Sequence, residues 1–509
     1  MIQEARAGAR REIPFALSLT LKPLAAVLVL LLLGCSVGPD FKRPAAPEVS
    51  VYMATPVTTV PPVANEVGGA AQRFLNSADV SADWWTLFHS KILNTLIERA
   101  LVNNADLKAA RSALFVAREN TLAQRGAYFP SISAGFSASR QQQPGTLAPV
   151  PSSNALQYDL FTPEVTISYM PDVFGLNRRT MESLKAQQDA VRFQMIATYN
   201  TLIANVVVTA IQTASIETQI DAMRELIAAD AKMVEILEYQ SRKGYASGLD
   251  LAAQKAQLAQ ANAMLPPLLK QEAQLHDLLS VLVGAFPSQL PTDKLVLSDL
   301  QLPQDLPLSL PSKLVEQRPD VRQAEANLHA ASAEIGVAIA NRLPNIALSA
   351  NAGSTALAIG QLFSPGTGFW TLASAVMAPI FQGGTLLHRE RAAREAYDEA
   401  AEQYRSTVLG AFQNVADTLV ALKLDADSLQ AAADSADAAK TTRDLAQRQV
   451  QDGYAAYISL LNAEQAYQQA RINLEQARAG RYVDTAALFQ ALGGGWWNRK
   501  ELANDDHEK

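Results

Sequence analysis

The chain has 509 residues, with 43 Lys and Arg against 50 Asp and Glu, a formal net charge of −7 and one cysteine. That balance excludes a nucleic-acid binder working through a basic surface, and a lone thiol excludes an internal disulfide framework. Charged residues at 18% and a mean hydropathy near zero fit a protein wetted mostly by water, with a limited part facing an apolar phase.

Arg6, Arg10, Arg11 and Lys22 precede an apolar run, Leu24 to Leu33, which ends in Leu32-Leu33-Gly34-Cys35. A basic n-region, a short apolar stretch and small residues at its end make a secretory signal, and the run is too short to span a bilayer, which takes about 20 residues. Cys35 follows it directly and suits acylation, so residues 1–34 read as a lipoprotein signal peptide. The other reading, an uncleaved helix from Phe15 to Leu33, is interrupted at Lys22-Pro23. Removing the signal takes four basic and two acidic residues and leaves a mature charge of −9. Ser36 rather than an aspartate follows the cysteine, which directs the expectation to the outer membrane. Residues 35–89 form a lipidated, extended N-terminal segment, and no later segment reads as a transmembrane helix.

Residues 90–286 carry a pattern of helix, strand, strand, very long helix and helix. Ile132, Ala134, Phe136 and Ala138 alternate with Ser131, Ser133, Gly135, Ser137 and Ser139. Phe161, Val165, Ile167 and Tyr169 alternate with Thr162, Glu164, Thr166 and Ser168. A period of two predicts two strands with one apolar and one small polar face, each close to the roughly 9–11 residues of a tilted barrel strand. The connection Gln141 to Gln157 is rich in Pro and Ser, as exposed loops are. Between Gly175 and Gly244 lie 68 residues without Pro or Gly, which predicts a helix of about 100 Å. Tyr199, Ile203, Val206, Ala210, Ile220, Met223, Ile227, Val234 and Leu237 mark its packing stripe. The turn Arg242-Lys243-Gly244-Tyr245-Ala246-Ser247-Gly248 leads into a returning helix, where Pro266-Pro267 predicts a kink.

A Pro-rich linker, 287–312, joins this copy to a second over 313–495. A shift of 214 superimposes Asp106 on Asp320, Leu114 on Leu328 and Pro130 on Pro344; a shift of 209 carries Gly175 onto Gly384, Thr209 onto Thr418, Gly244-Tyr245 onto Gly453-Tyr454 and Gly284 onto Gly493. Such a period is far beyond the 20–50 residues of a solenoid and marks a duplicated half-structure. The second strand pair reads at Ile346, Leu348, Ala350 and Ala352, and less regularly around Trp370, Leu372 and Val376, with the loop Thr355 to Gly368 between. The second long helix repeats the stripe at Tyr404, Val408, Phe412, Val415, Leu419 and Leu422, and Glu475-Gln476 stand where the first copy has its prolines. A polar tail, 496–509, follows.

Open sheet edges cannot face lipid, and four strands are too few to close a barrel, for which about eight is the minimum. The chain must oligomerise if the strands are in a membrane: two copies give 8 strands and three give 12. A soluble sheet on a lipid-anchored periplasmic coiled coil is the other reading, though small polar faces suit a lumen better. His89, His276, His329, His388 and His507 show no metal-ligand spacing, and no nucleophile, Walker or dinucleotide motif is present, so no enzyme, cofactor or metal is expected. Trp84-Trp85 and Trp496-Trp497 each border a helical segment and read as caps on its packing.

Cys35-Ser36-Val37-Gly38-Pro39-Asp40-Phe41, Trp84-Trp85 with Phe88, Arg318-Pro319-Asp320-Val321 with Ala324-Glu325, and Pro379-Ile380-Phe381-Gln382-Gly383-Gly384 together resemble the signatures of the outer-membrane factor family, the TolC/OprM-like efflux ducts, in their NodT-type lipoprotein branch. The resemblance covers nearly the whole mature chain. It implies a mostly α fold with a membrane β part: a long α-helical barrel crossing the periplasm, and four strands per chain completing a 12-stranded barrel in a homotrimer. It further implies a passive gated duct for small molecules, anchored in outer membrane lipids and docked to a periplasmic membrane-fusion adaptor and an inner-membrane efflux pump. A duct for type I protein secretion shares every one of these features. Arg242, Lys243, Gly244, Gly248 and Gly453 are the expected docking tips. Relatives often carry carboxylates on the returning helix near the second tip, and the matching positions here are Ser459 and Asn462. The entrance is therefore expected to close through hydrogen bonds and packing around Tyr454, Tyr457, Ser459 and Asn462, with Asp250, Asp452, Arg242 and Lys243 supplying nearby charge.

Overall fold

A computed structural model describes residues 36–144, 146, 156–289 and 295–503. The expected lipidation site, Cys35, and the signal peptide lie outside the described residues. In chain order the elements are β1 (Thr59–Val60), β2 (Gln72–Asn76), α1 (Lys91–Asn103), α2 (Ala105–Arg125), β3 (Ser131–Gln142), β4 (Gln157–Tyr169), α3 (Leu176–Arg242) and α4 (Gly248–Leu282). They continue with β5 (Asp305–Leu308), α5 (Pro311–Gln317), α6 (Pro319–Ala340), β6 (Asn345–Ser354), β7 (Gly368–Met377), α7 (Thr385–Gln451), α8 (Tyr457–Ala491) and α9 (Lys500–Ala503). The duplication is quantitative: α3 and α7 have 67 residues each, α4 and α8 have 35 each. The helix α4 runs through Pro266-Pro267 without interruption. The prolines remove two ladder donors, whose acceptors would be the Asn262 and Ala263 carbonyls, but do not end the helix.

The described residues divide into two compact units, one drawn from 36–42, 118–186 and 328–399, the other from 43–117, 187–327 and 400–503. In the first, β3-β4-β6-β7 form one antiparallel sheet. Register puts Ile132, Ile167, Ala350 and Leu372 side by side in one row, and Ser133, Thr166, Asn351 and Thr371 in the next. Because side chains alternate across the pleat, one face is apolar and the other small and polar. Ile132, Trp370, Leu372 and Val376 stand exposed on the apolar face, as lipid-facing side chains must. Among the described residues, both edge strands, β3 and β7, have one unpaired side.

The same unit holds the start of the described chain. Val37 donates its N–H to the Phe174 carbonyl at 3.2 Å. Arg179, whose side chain is 4% exposed, donates to the Val37 carbonyl at 2.9 Å, to Asp40 at 2.8 Å and to Glu182 at 2.7 Å. Phe41 stacks on His329 at 4.3 Å, and His329 in turn meets Glu182 at 3.0 Å. Gly38 has φ of +93°, and a Cβ there would come within 2.5 Å of the Gly336 Cα, so two glycines permit the close approach.

In the second unit the stripe on α3 is core: Tyr199, Ile203, Val206, Ala210, Ile220 and Met223 are all buried. One window of α3 is long and apolar enough to cross a membrane, contrary to the expectation that none follows Leu33, but 67% of it is buried inside the protein. Its apolar character is that of a core helix. Trp84 stacks on Phe489 at 5.0 Å, and the Trp496 indole donates to the Gln317 carbonyl at 2.7 Å, so both tryptophan pairs sit in helical packing. A three-stranded sheet, β1-β2-β5, has no counterpart in the sequence reading. Its strand β5 pairs in parallel with β2, and the Arg73–Asp305 ion pair joins the two. The stretch read as a linker thus belongs to the core, burying Leu295, Leu297, Leu300, Leu302 and Leu306.

Candidate functional site

Both helical hairpins turn in the second unit, and they turn in the same way. Gly244 and Gly453 each have φ of +79°, the left-handed conformation that only glycine adopts at no steric cost. At the first tip the Tyr245 N–H donates to the Gln240 carbonyl at 2.9 Å and the Gly244 N–H to Ser241 at 3.0 Å. At the second, Tyr454 donates to Gln449 at 2.7 Å and Gly453 to Val450 at 3.1 Å. These paired bonds are Schellman motifs, which satisfy the last carbonyls of α3 and α7. Ser247 then caps α4, accepting from the Asp250 N–H at 3.1 Å while its hydroxyl donates to the Asp250 carboxylate at 2.7 Å. Each tip presents a bare tyrosine, Tyr245 at 83% and Tyr454 at 86% exposure, beside Leu249 and Ile458.

Of the expected entrance residues, Tyr457 is the one tied into a network. Its hydroxyl donates to the Gln254 side-chain oxygen at 2.7 Å, and the Gln254 amide donates to the Asp230 carboxylate at 3.0 Å and carbonyl at 3.3 Å. This bridge joins α8 of the second copy to α3 and α4 of the first. Gln254 is 1% exposed, so the chain of bonds is shielded from water. Burial raises the Asp230 carboxyl above the usual aspartate range, with the Gln254 hydrogen bond opposing and Glu464 reinforcing the shift. Burial likewise raises the Tyr457 phenol, helped by the carboxylates of Asp230, Glu464 and Asp250. The bridge is a chain of hydrogen bonds with no basic side chain in it: a phenol donates to an amide oxygen, and the amide N–H donates to a carboxyl group.

The other expected residues are placed differently. Tyr454, Ser459, Asn462 and Asp452 are exposed, and among the described residues neither the Ser459 nor the Asn462 side chain makes a hydrogen bond within the protomer. Arg242 and Lys243 are exposed at the first tip, with Lys243 5.8 Å from the Tyr239 ring centroid. Gln254 and Asp230 were not singled out from sequence. The signal was there for Asp230: it falls between Ile227 and Val234 on the apolar stripe of α3, where a charge needs a partner. Among the described residues no cluster of His, Cys, Asp or Glu is placed to hold a metal.

With this architecture in place, the outer membrane efflux proteins match residues 96–285 and 310–494. The chain belongs to that family. It is 30% identical over 493 residues, covering 94% of this chain and 96% of the relative, to the probable efflux pump outer membrane protein TtgC of Pseudomonas putida KT2440. It is likewise 30% identical, with the same coverage, to the antibiotic efflux pump outer membrane protein ArpC of Pseudomonas putida. Among solved structures, the outer-membrane channel OprN superimposes with a TM-score of 0.80 at 25% identity, over 91% of this chain and all of that one. The chain is thus the outer-membrane channel of a tripartite efflux system. Its fold is that of trimeric channels with a helical barrel in the periplasm and a β part in the outer membrane. Channels of this kind act with an adaptor and an inner-membrane pump, and the family is one of ducts, not of enzymes.

Proposed function

We propose that this protein is a lipid-anchored efflux duct whose periplasmic entrance is held shut by the Tyr457–Gln254–Asp230 bridge, and whose exposed Tyr245 and Tyr454 tips receive the adaptor. The observation that carries the reading is the bond between Tyr457 and Gln254, residues 203 positions apart and on different copies of the repeat. Opening the entrance requires α8 to move away from α3 and α4 near the tips, and that bond must break first. Paired tips with the same Schellman geometry offer the adaptor two similar footholds per protomer. The anchor reading is supported by the strap at the start of the described chain, where Val37 is bonded to Phe174 just past the end of β4. The cargo is small molecules, in keeping with relatives named for antibiotic and toluene efflux.

The test is made in cells lacking their own outer-membrane channel and given this one. Tyr457→Phe should admit a bulky antibiotic that the intact outer membrane keeps out, while Tyr454→Phe, which leaves the bridge untouched, should not. Equal exclusion by the two variants, both present as trimers at wild-type levels, would sink the gate.

A further inference from the structure

Away from the periplasmic entrance, the sheet register sets a carboxylate on the polar face of the strands. On the small polar face of β3-β4-β6-β7, successive rows read Ser137–Thr162, then Gly135–Glu164–Gly353–Phe369, then Ser133–Thr166–Asn351–Thr371, then Ser131–Ser168–Ser349–Ala373. Among the positions on this face, Glu164 is the one that carries a formal charge. The oppositely charged pair Arg140 and Asp159, 3.9 Å apart, lies on the other face near the ends of the strands. Glu164 stands mid-strand, and both of its row neighbours are glycines. The Gly353 position has no room for more: a Cβ there would lie 2.4 Å from the Pro163 carbonyl oxygen and 3.0 Å from the Glu164 Cβ. The carboxylate is thus flanked by the Gly135 backbone on one side and by Gly353 with the Phe369 ring beside it on the other, and it has no basic partner among the described residues of its face.

A carboxylate at mid-strand is tolerated on the water-filled side of a membrane barrel and is unfavourable on the lipid side. The apolar face, with exposed Ile132, Phe136, Trp370 and Leu372, claims the lipid, which turns Glu164 inward. We infer that Glu164 is a charge-selecting residue of the outer-membrane pore, three copies forming one tier of carboxylates that concentrates cations in an otherwise neutral lumen of Ser, Thr and Asn. Rings of acidic side chains favour cations by this means. The tier needs all three protomers, and it rests on the channel and its strand faces, not on the entrance bridge.

The trimer in a planar bilayer tests it, with hexaamminecobalt(III), a compact trivalent cation that exchanges no ligands, added on the side of the β3–β4 and β6–β7 loops. At 0.1 M salt the concentration giving half-block should rise about five-fold or more in Glu164→Gln and stay near wild type in Glu164→Asp. The difference should collapse at 1 M salt, where screening acts over about 3 Å instead of about 10 Å. Thr371→Lys puts an ammonium one row away on the same face and should relieve block as Glu164→Gln does, so it decides the matter if the glutamine variant fails to assemble. Block at the wild-type concentration in Glu164→Gln and Thr371→Lys would overturn the assignment. Addition from the helical-tip side is the internal control, and loss of block confined to that side would likewise refute it.

Discussion

Tyr457→Phe removes one oxygen per protomer, and its effect can be worked out from the bridge. The change leaves the ring and its packing in place but strips the donor from the Gln254 oxygen, 2.7 Å away, in a residue that is 1% exposed. Leaving a buried acceptor unpaired costs about 1–3 kcal/mol. In an open entrance that acceptor meets water, so the penalty falls on the closed state alone. Taking about 1.4 kcal/mol per bridge, each protomer's closed form is disfavoured about ten-fold, and three acting together shift the equilibrium by about 10³. Single-channel recording on the reconstituted trimer reads this as open probability. Tyr454→Phe is the matched control, since that side chain is 86% exposed and outside the bridge. An open probability for Tyr457→Phe within about two-fold of wild type, well below what the lost bond demands, would refute the reasoning.

Two further outcomes follow from buried contacts. Asp425 on α7 is held up to about 7 by burial first, then by its hydrogen bond to Asp484 and that group's charge, with Arg481 pulling the other way. Its folded pKa lies above the unfolded value near 3.9, so the stabilisation is complete below about pH 4 and is lost as pH rises to about 7. Asp425→Asn should therefore lose less thermal stability than wild type between pH 5 and pH 9, by roughly 1–2 kcal/mol after solvent screening; parallel melting curves against pH would contradict this. Gly38→Ala forces a Cβ at φ +93° into contact with Gly336, which should weaken the N-terminal strap by about 1–3 kcal/mol. Limited proteolysis should then cut between residues 36 and 43 sooner while β3 to β7 stay protected, and an unchanged cutting rate would show that the strap is not held by that contact.

The parts legible from sequence were those written in long, repeated signals. Two runs of 68 residues without proline, the second broken only by Gly410, specified α3 and α7, and strict alternation at Ile132 to Ala138 specified both faces of β3. The β1-β2-β5 sheet was not legible because its strands have 2, 5 and 4 residues, too few for a period to show, and because β2 and β5 meet from places more than 200 residues apart. The prolines of 287–312 marked a linker in sequence; the leucines between them, now buried, were the stronger signal. At the entrance, family likeness drew attention to Ser459 and Asn462, which are exposed, whereas the buried partners of Tyr457 come from the other copy. Arg179 gave no warning either, since a hub made of two backbone carbonyls and two carboxylates leaves no mark in the spacing of residues.

The bridge proposed as the gate is not repeated by the duplication. The shift of 209 that maps one tip onto the other carries Asp230 onto Ala439, Gln254 onto Ala463 and Tyr457 onto Gly248. Every polar member of the bridge thus has a side chain without hydrogen-bonding capacity as its counterpart. On the proposed reading, the pseudo-equivalent contact between neighbouring protomers would lack all three groups, and a trimer would hold three bridges, each within a protomer. Restoring the missing set by Ala439→Asp, Ala463→Gln and Gly248→Tyr in one chain should add three bonds worth about 1 kcal/mol each and lower open probability below wild type. If the triple variant assembles and gates like wild type, the asymmetry between the two copies has no part in gating.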